Sequence, residues 1–386
     1  MPTRKCLSSA IRPDKGVAAR QNRLTRKLRT HRSVPTPIPA PNAMSQLLTR
    51  ITLEPPYLLF LGEVTEAGYA KTALGIADWR PERCAGQMSL PGCKVATGLR
   101  EMNVQEAVGA GVRTAIIGVA PVGGRLPPAW IAPLSALARA GIDVAAGLHS
   151  KLRDIPELVA AAAEGRAKLI DVRDPPPNLP CGTGRKRRGL RVLTVGTDCA
   201  LGKKYTALAL HRELSTRGVK ATFRATGQTG IMIAGEGIPI DAVVADFVAG
   251  AAEVLSPEND ADHWDVIEGQ GSLFHPAYAS VTLGLLHGSQ PDAFVVCHEA
   301  TREYVQGWEG EYRLPSIPAL IERTILLGQM TNPKIRCVGI SLNTSRLPER
   351  ERASACQRLS DELGLPCSDP VAMGMRGIAD RLLENR

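Results

Sequence analysis

The stretch Val195-Gly-Thr-Asp-Cys-Ala-Leu-Gly-Lys-Lys-Tyr-Thr206 carries the most chemistry in this chain. Gly196, Gly202 and Lys203 make a Gly-rich loop ending in Gly-Lys, set between an apolar run and a helical pattern. Backbone N–H groups of such a loop converge on an anion, and the helix N-terminus adds a positive field. Glycine permits left-handed backbone and close approach. Lys203 supplies a point charge for a phosphate oxygen. Thr197, Asp198, Cys199, Lys204 and Tyr205 complete the expected phosphate-binding set. Five residues separate Gly196 from Gly202, one more than in the common P-loop. The residue after Gly-Lys is Lys204, where a P-loop places the Ser or Thr that holds magnesium. An ammonium cannot ligate Mg²⁺. The loop is therefore expected to hold a phosphate-bearing ligand, and no metal is expected.

A second constellation is Trp264-Asp-Val-Ile-Glu-Gly-Gln-Gly-Ser-Leu-Phe-His275. An apolar strand ending in Glu268 places a carboxylate at a strand's C-terminal edge, where open α/β sheets bind ligands. Glu268 is the first candidate for a general base, with Asp246 and His275 after it. Each has a plainer reading, Glu268 as a helix N-cap and His275 as a loop histidine bonded to backbone. Backbone N–H groups near residues 269–271 are candidates for an oxyanion site. Arg224-Ala-Thr-Gly-Gln-Thr-Gly230 follows another strand, and Arg224 and Gln228 offer donors for a carboxylate or phosphate. Arg302, after the strand-like run at 293–297, and Arg80, in the first half of the chain, are further cationic candidates for substrate. The run from Asp241 to Asp246 reads as an apolar strand carrying two carboxylates, with Asp246 at its end near the site.

These residues require parallel strands that end on one edge. Residues 190–195, 220–224, 264–268, 293–297 and 335–340 read as strands, and 203–217, 246–255, 318–327 and 348–363 as helices. Before them, strand-like runs at 57–62, 115–119, 142–146 and 168–170 alternate with helical stretches at 67–76, 129–140 and 155–163. That alternation predicts an α/β protein with mostly parallel sheets. Three prolines at 175–177 form a stiff spacer. The basic run 185–188 behind it reads as a solvated linker. The predicted units are 44–180, 181–189 as linker, and 190–386. Polar groups also follow strands in the first unit, among them Glu63, Lys71, Asp78, Trp79 and the Gly123-Gly124 turn. A cleft between the units would suit a small substrate.

Charge excludes the most obvious alternative. The chain of 386 residues has a formal charge of +9. Residues 1–43 hold ten Lys/Arg and one acid, which leaves 37 basic and 37 acidic residues over 44–386. The body is neutral, so no nucleic-acid partner is expected. The first 43 residues are polar and end Pro-rich, a composition that builds no core. They read as a disordered extension, with Met44 as the expected true start, or else as a transit-type segment or basic arm. No apolar run approaches the roughly 20 residues that span a bilayer, and no secretory signal is visible. Nine cysteines without a C-x-x-C pair read as reduced thiols. A cytoplasmic, homo-oligomeric protein with small-molecule substrates and no membrane partner is the expectation.

The spacing of the Gly-rich loop resembles dethiobiotin synthetase, whose loop runs Gly-Thr-Asp-Thr-x-x-Gly-Lys-Thr, as does the Glu-Gly-x-Gly segment at 268–271. Longer motifs point elsewhere. Gly-Thr-Asp-Cys-Ala-Leu-Gly-Lys (196–203), Phe-Arg-Ala-Thr-Gly-Gln-Thr-Gly (223–230), Val-Val-Ala-Asp-Phe (243–247), the 263–276 segment and Leu-Leu-His-Gly-Ser-Gln-Pro-Asp (285–292) resemble the DgcN-type D-glutamate N-acetyltransferases. So do Trp-Arg-Pro-Glu-Arg-Cys (79–84), Gly-Val-Ala-Pro-Val-Gly-Gly (118–124) and Gly-Leu-His (147–149). The resemblance covers roughly residues 55–380. It implies a Rossmann-like N-terminal domain, a P-loop C-terminal domain, and acetyl transfer from acetyl-CoA to the amine of D-glutamate in its catabolism. That family typically carries Met after Gly-Lys, so Lys204 departs from it too, either strengthening the phosphate site or facing solvent. The other activity the loop suggests is that of an ATP-dependent ligase or kinase of dethiobiotin synthetase type.

Overall fold

The computed structural model describes residues 48–384, and the basic extension at 1–43 lies outside them. A first sheet has five parallel strands, β1 (Tyr57–Gly62), β2 (Cys84–Ser89), β3 (Thr114–Ile117), β4 (Asp143–Ala146) and β5 (Leu169–Asp171), in the order β2-β1-β3-β4-β5. This is one of the two common doubly wound orders, whose binding crevice lies between β1 and β3. Every residue of β1 and β3 is buried, as expected of parallel strands covered on both faces. The sequence reading missed β2. It is an edge strand, and its Cys-Ala-Gly-Gln-Met-Ser composition lacks the apolar run that marks a central one.

The second sheet holds six parallel strands, β6 (Leu190–Gly196), β7 (Ala221–Arg224), β8 (Trp264–Ile267), β9 (Ala293–Glu299), β10 (Arg336–Asn343) and β11 (Cys367–Ser368). Their order is β11-β10-β9-β6-β8-β7. The strand carrying the Gly-rich loop is thus central, with the strand of Glu268 on one side and that of Arg302 on the other.

Helices connect the strands on both sheets. Those that shape the site are α1 (Lys71–Trp79), α2 (Lys203–Thr216) directly after the Gly-rich loop, and α3 (Gln228–Ala234). Two more, α4 (Ile317–Gly328) and α5 (Glu349–Leu363), flank the β9–β10 side. Ser316 caps α4 by accepting from the Ala319 N–H at 3.3 Å, just ahead of a proline in the first turn. One expectation fails here. Residues 241–246 form no strand but two 3-10 turns, Ile240–Ala242 and Ala245–Phe247. After Arg224, α3 starts at Gln228 and buries Ile231, Met232 and Ile233.

The linker is largely exposed, as expected, but it is tethered to the second domain. The Thr183 and Gly184 N–H groups donate to the Glu253 carboxylate at 2.8 and 2.9 Å. Arg187 threads inward to the Ser256 and Gly288 carbonyls at 2.9 and 2.8 Å. Only Arg185, Lys186 and Arg188 of the basic run stay exposed. Among the described residues, no helix is long and apolar enough to cross a membrane.

The two sheets meet at their C-terminal edges. Helix α1, which follows β1, lies against α2 and α3: Thr72 and Thr229 hydroxyls bond at 2.8 Å, and the Trp79 and Tyr205 rings stack edge-on at 6.0 Å. At the end of β4, Gly147 meets Gln228 so closely that a Cβ would lie 1.8 Å from its Oε1. Arg173, after β5, pairs with Asp241 at 3.2 Å.

Candidate active site

The loop after β6 is held by a closed set of polar contacts. Gly202 sits at φ 109, where an L side chain is strained, and Ala200 adopts the left-handed region at φ 56. Gly196 is crowded instead: a Cβ would lie 3.2 Å from the Lys203 Nζ and from two carbonyls. Asp198 is fully buried. Its Oδ1 accepts the Cys199 N–H at 2.6 Å, and its Oδ2 accepts Arg302 at 3.0 Å and the Gln306 N–H at 2.9 Å. Arg302 continues to the Cys199 carbonyl at 2.9 Å and Glu299 at 2.7 Å. Thr197 shares a hydrogen with the His298 Nδ1 at 2.8 Å. The buried Lys203 donates to the Asp198 carbonyl at 2.7 Å.

Positive charge concentrates at this loop. Burial pulls the Lys203 amine below its ordinary range. Lys71, the first residue of α1, is lowered by burial and then by the nearby Arg302 and Lys203. Three cations therefore surround one buried carboxylate, and a bound phosphate would relieve their repulsion. Asp198, Cys199 and His275 bring ligand atoms within 4.8 Å of one another. That set does not fit a cation. Both Asp198 oxygens are engaged, and the His275 Nδ1 already accepts the Ala277 and Tyr278 N–H groups at 3.1 and 3.2 Å. The neutral ring must then carry its proton on Nε2, which faces Asp198 Oδ1 at 3.7 Å. Burial holds the His275 pKa down. His275 thus has its Nδ1 lone pair engaged by backbone and its Nε2–H toward Asp198 beyond hydrogen-bond distance, so neither ring nitrogen is free to accept a proton.

Glu268 stands on the other side of the central strand. It is buried, with Oε2 accepting the Thr226 and Gly227 N–H groups at 2.9 and 3.1 Å. Burial raises its pKa, opposed by those two N–H groups and by Lys204. Lys204 neither faces solvent nor joins the loop. Its Nζ points across the domain boundary, 3.5 Å from the Lys71 carbonyl and 2.5 Å from where a Cβ at Gly75 would sit. Burial lowers its pKa to about 8, against the raising effect of Glu268 and Asp78. Gly75 is what makes room for this ammonium. Tyr205 likewise turns to the boundary, donating to Asp78.

Other expected site residues are placed elsewhere. Arg224 is a buried partner of Asp265, its Nε 2.7 Å from the carboxylate, so it is not available to a substrate. Arg80 donates to the Ile233 and Trp79 carbonyls at 3.2 and 3.3 Å, tying α1 to the end of α3. Asp246 is exposed on its 3-10 turn, with no hydrogen bond or ion pair among the described residues. The Gly269 N–H, a candidate oxyanion donor, already donates to the Thr194 hydroxyl at 2.8 Å. Gln228 packs tightly against Gly147 across the domain boundary. Beside it, Arg173 donates to the His149 Nε2 at 2.5 Å, and burial, then the Arg173 charge, lowers the His149 pKa. Gly75, His149 and Arg173 carry no mark of their role in the local sequence, because each acts across the domain boundary.

Family comparison matches this architecture. Residues 180–379 match the P-loop domain of a family of unknown function, DUF1611, and residues 83–175 match its Rossmann-like N-terminal domain. The chain belongs to this family. Two curated relatives are named D-glutamate N-acetyltransferase. One, from Tritonibacter scottomollicae, is 49% identical over 330 residues, covering 86% of this chain and 99% of that protein. The other, from a Pseudoalteromonas species, is 46% identical with the same coverage. A solved DUF1611 family structure from Anabaena variabilis superposes with a TM-score of 0.76 at 32% identity, covering 86% of this chain and all of that one. The α/β reading, with a Rossmann-like unit before a P-loop unit, is therefore correct, and so is the family resemblance.

Proposed function

We propose that this chain is an acyltransferase that moves an acetyl group from acetyl-CoA to the amine of D-glutamate. The observation that carries the proposal is the match, over nearly their whole length, to two relatives named for that reaction. The site is compatible with it. Coenzyme A presents a pyrophosphate, which a Gly-rich loop ringed by Lys71, Lys203 and Arg302 suits without magnesium. Lys204 in the metal-holding position argues against MgATP chemistry.

The donor brings an activated acyl carbon, and the rest falls to the protein. The substrate ammonium must lose a proton before its nitrogen can attack. Glu268 is the group for that task. It is a buried carboxylate at the C-terminal edge of β8, with a pKa raised by burial and one oxygen fixed by two N–H groups. The Lys204 ammonium opposes that rise. Gln228 and Arg173, at the domain boundary, are the candidates to orient the glutamate carboxylates. A cytoplasmic setting and a role in D-glutamate catabolism belong to the same proposal.

The test is thiol release from acetyl-CoA with a panel of D- and L-amino acids, without ATP or Mg²⁺. Release dependent on D-glutamate is the expected result. No release with any amine, together with hydrolysis once MgATP is added, would overturn it.

A further inference from the structure

A cavity of about 380 Å³ opens on the β9–β10 side of the loop. Its floor includes His298, and its wall includes Arg302. Both are tied to the loop, His298 through the Thr197 hydroxyl and Arg302 through Asp198 and the Cys199 carbonyl. The cavity therefore borders two side chains that hold the phosphate cradle. Leu314, Pro315 and Ile317, leading into α4, form one apolar side, and Leu359 and Leu363 of α5 form the other. Slots between apolar faces suit a flat aromatic ring. At the rim, Arg313 is largely exposed and paired only loosely with Glu303, at 3.7 Å, while Glu362 also lies at the edge.

Sheet order lines up three stations on one edge. The cavity lies over β9 and β10, the loop follows β6, and Glu268 follows β8, with these strands adjacent in that order. A ligand with a ring at one end, phosphates near it and a reacting group at the other end matches the row. We infer that this cavity seats the adenosine end of the acetyl donor, with the ribose 3′-phosphate at Arg313. The inference rests on the acetyl-CoA reading above. ATP shares the adenine ring, so the 3′-phosphate separates the two sources.

Two variants and two kinds of readout test it. Leu314→Trp fills the slot from a non-helical segment, and Arg313→Glu reverses the rim charge at an exposed position. Calorimetry with adenosine 3′,5′-bisphosphate, which needs no turnover, should show binding to the parent protein. That binding should weaken at least about tenfold in Leu314→Trp, the equivalent of about 1.4 kcal/mol. Arg313→Glu should weaken it while leaving 5′-AMP binding unchanged. In kinetics, Leu314→Trp should raise KM for acetyl-CoA with kcat little changed, and leave KM for S-acetyl-phosphopantetheine as it was. Equal binding of the bisphosphate to parent and Leu314→Trp, or equal KM changes for both donors, would overturn the assignment. Preference for ATP over the bisphosphate would also overturn it. If no donor releases thiol but the bisphosphate still binds in the cavity, the transferase reading fails and the adenosine pocket stands.

Discussion

The two sides of the central strand β6 are built on opposite principles. Toward β9, Asp198, Arg302, Glu299, Thr197 and His298 engage one another, and His275 is turned so that only a donor faces Asp198. Toward β8, Glu268 is buried and Lys204 half-buried, and desolvation displaces both from their ordinary pKa ranges. A densely bonded network fixes geometry, because its buried polar groups hold one another in place. A pair of displaced ionisable groups holds a proton poised for transfer. Position and chemistry are thus divided between neighbouring strands of one sheet.

The sharpest way to break this contrast is Glu268→Gln. Loss of the proton acceptor should lower kcat by about 10² to 10⁴, with the melting temperature nearly kept and donor binding intact. Retained activity in a steady-state assay removes Glu268 from the mechanism. Asp198→Asn tests the other side. Leaving Arg302 against a neutral amide in a buried network should cost about 3 kcal/mol, read by chemical denaturation, and should weaken donor binding more than kcat.

Lys204→Met gives a subtler effect. Removing the cation raises the Glu268 pKa further, so the acid limb of the pH–rate profile should move to higher pH. A group with a depressed folded-state pKa contributes stability above its unfolded value, and that contribution is lost as pH falls through the folded one. For Lys204 the window runs from about 8 to 10.5. Melting temperatures of the parent should therefore gain more across that window than those of Lys204→Met. The smallest change is expected from Asp246→Ala, whose kinetics and melting should match the parent; a large activity loss there would put the acid–base chemistry in the wrong place.

Much of this was legible in the sequence, and the limits have physical causes. The Gly-rich loop and Glu268 were found because a strand, a turn and the next element are contiguous in the chain. Arg224 was misjudged because its partner Asp265 lies 41 residues on, and only the register of two parallel strands brings them together. Asp246 was misplaced because an alternation of small apolar residues and acids suits two tight turns as well as a strand. Lys204 was recognised as anomalous, yet its destination depends on Gly75, a glycine in another domain. Edge strand β2 left no apolar trace because it has only one neighbour.

Arg191 has a bearing on how this protein can be divided. The first turns of β6 bury its guanidinium completely, where it donates to the carbonyls of Arg187, Arg188, Gly189, Ser256 and Pro257. Three of those acceptors belong to the spacer ahead of the strand. A fragment cut at the strand's first residue would keep the cation and lose three of its five acceptors. Any fragment of the second domain therefore has to begin within the spacer, upstream of Thr183, and carry that strip of backbone along.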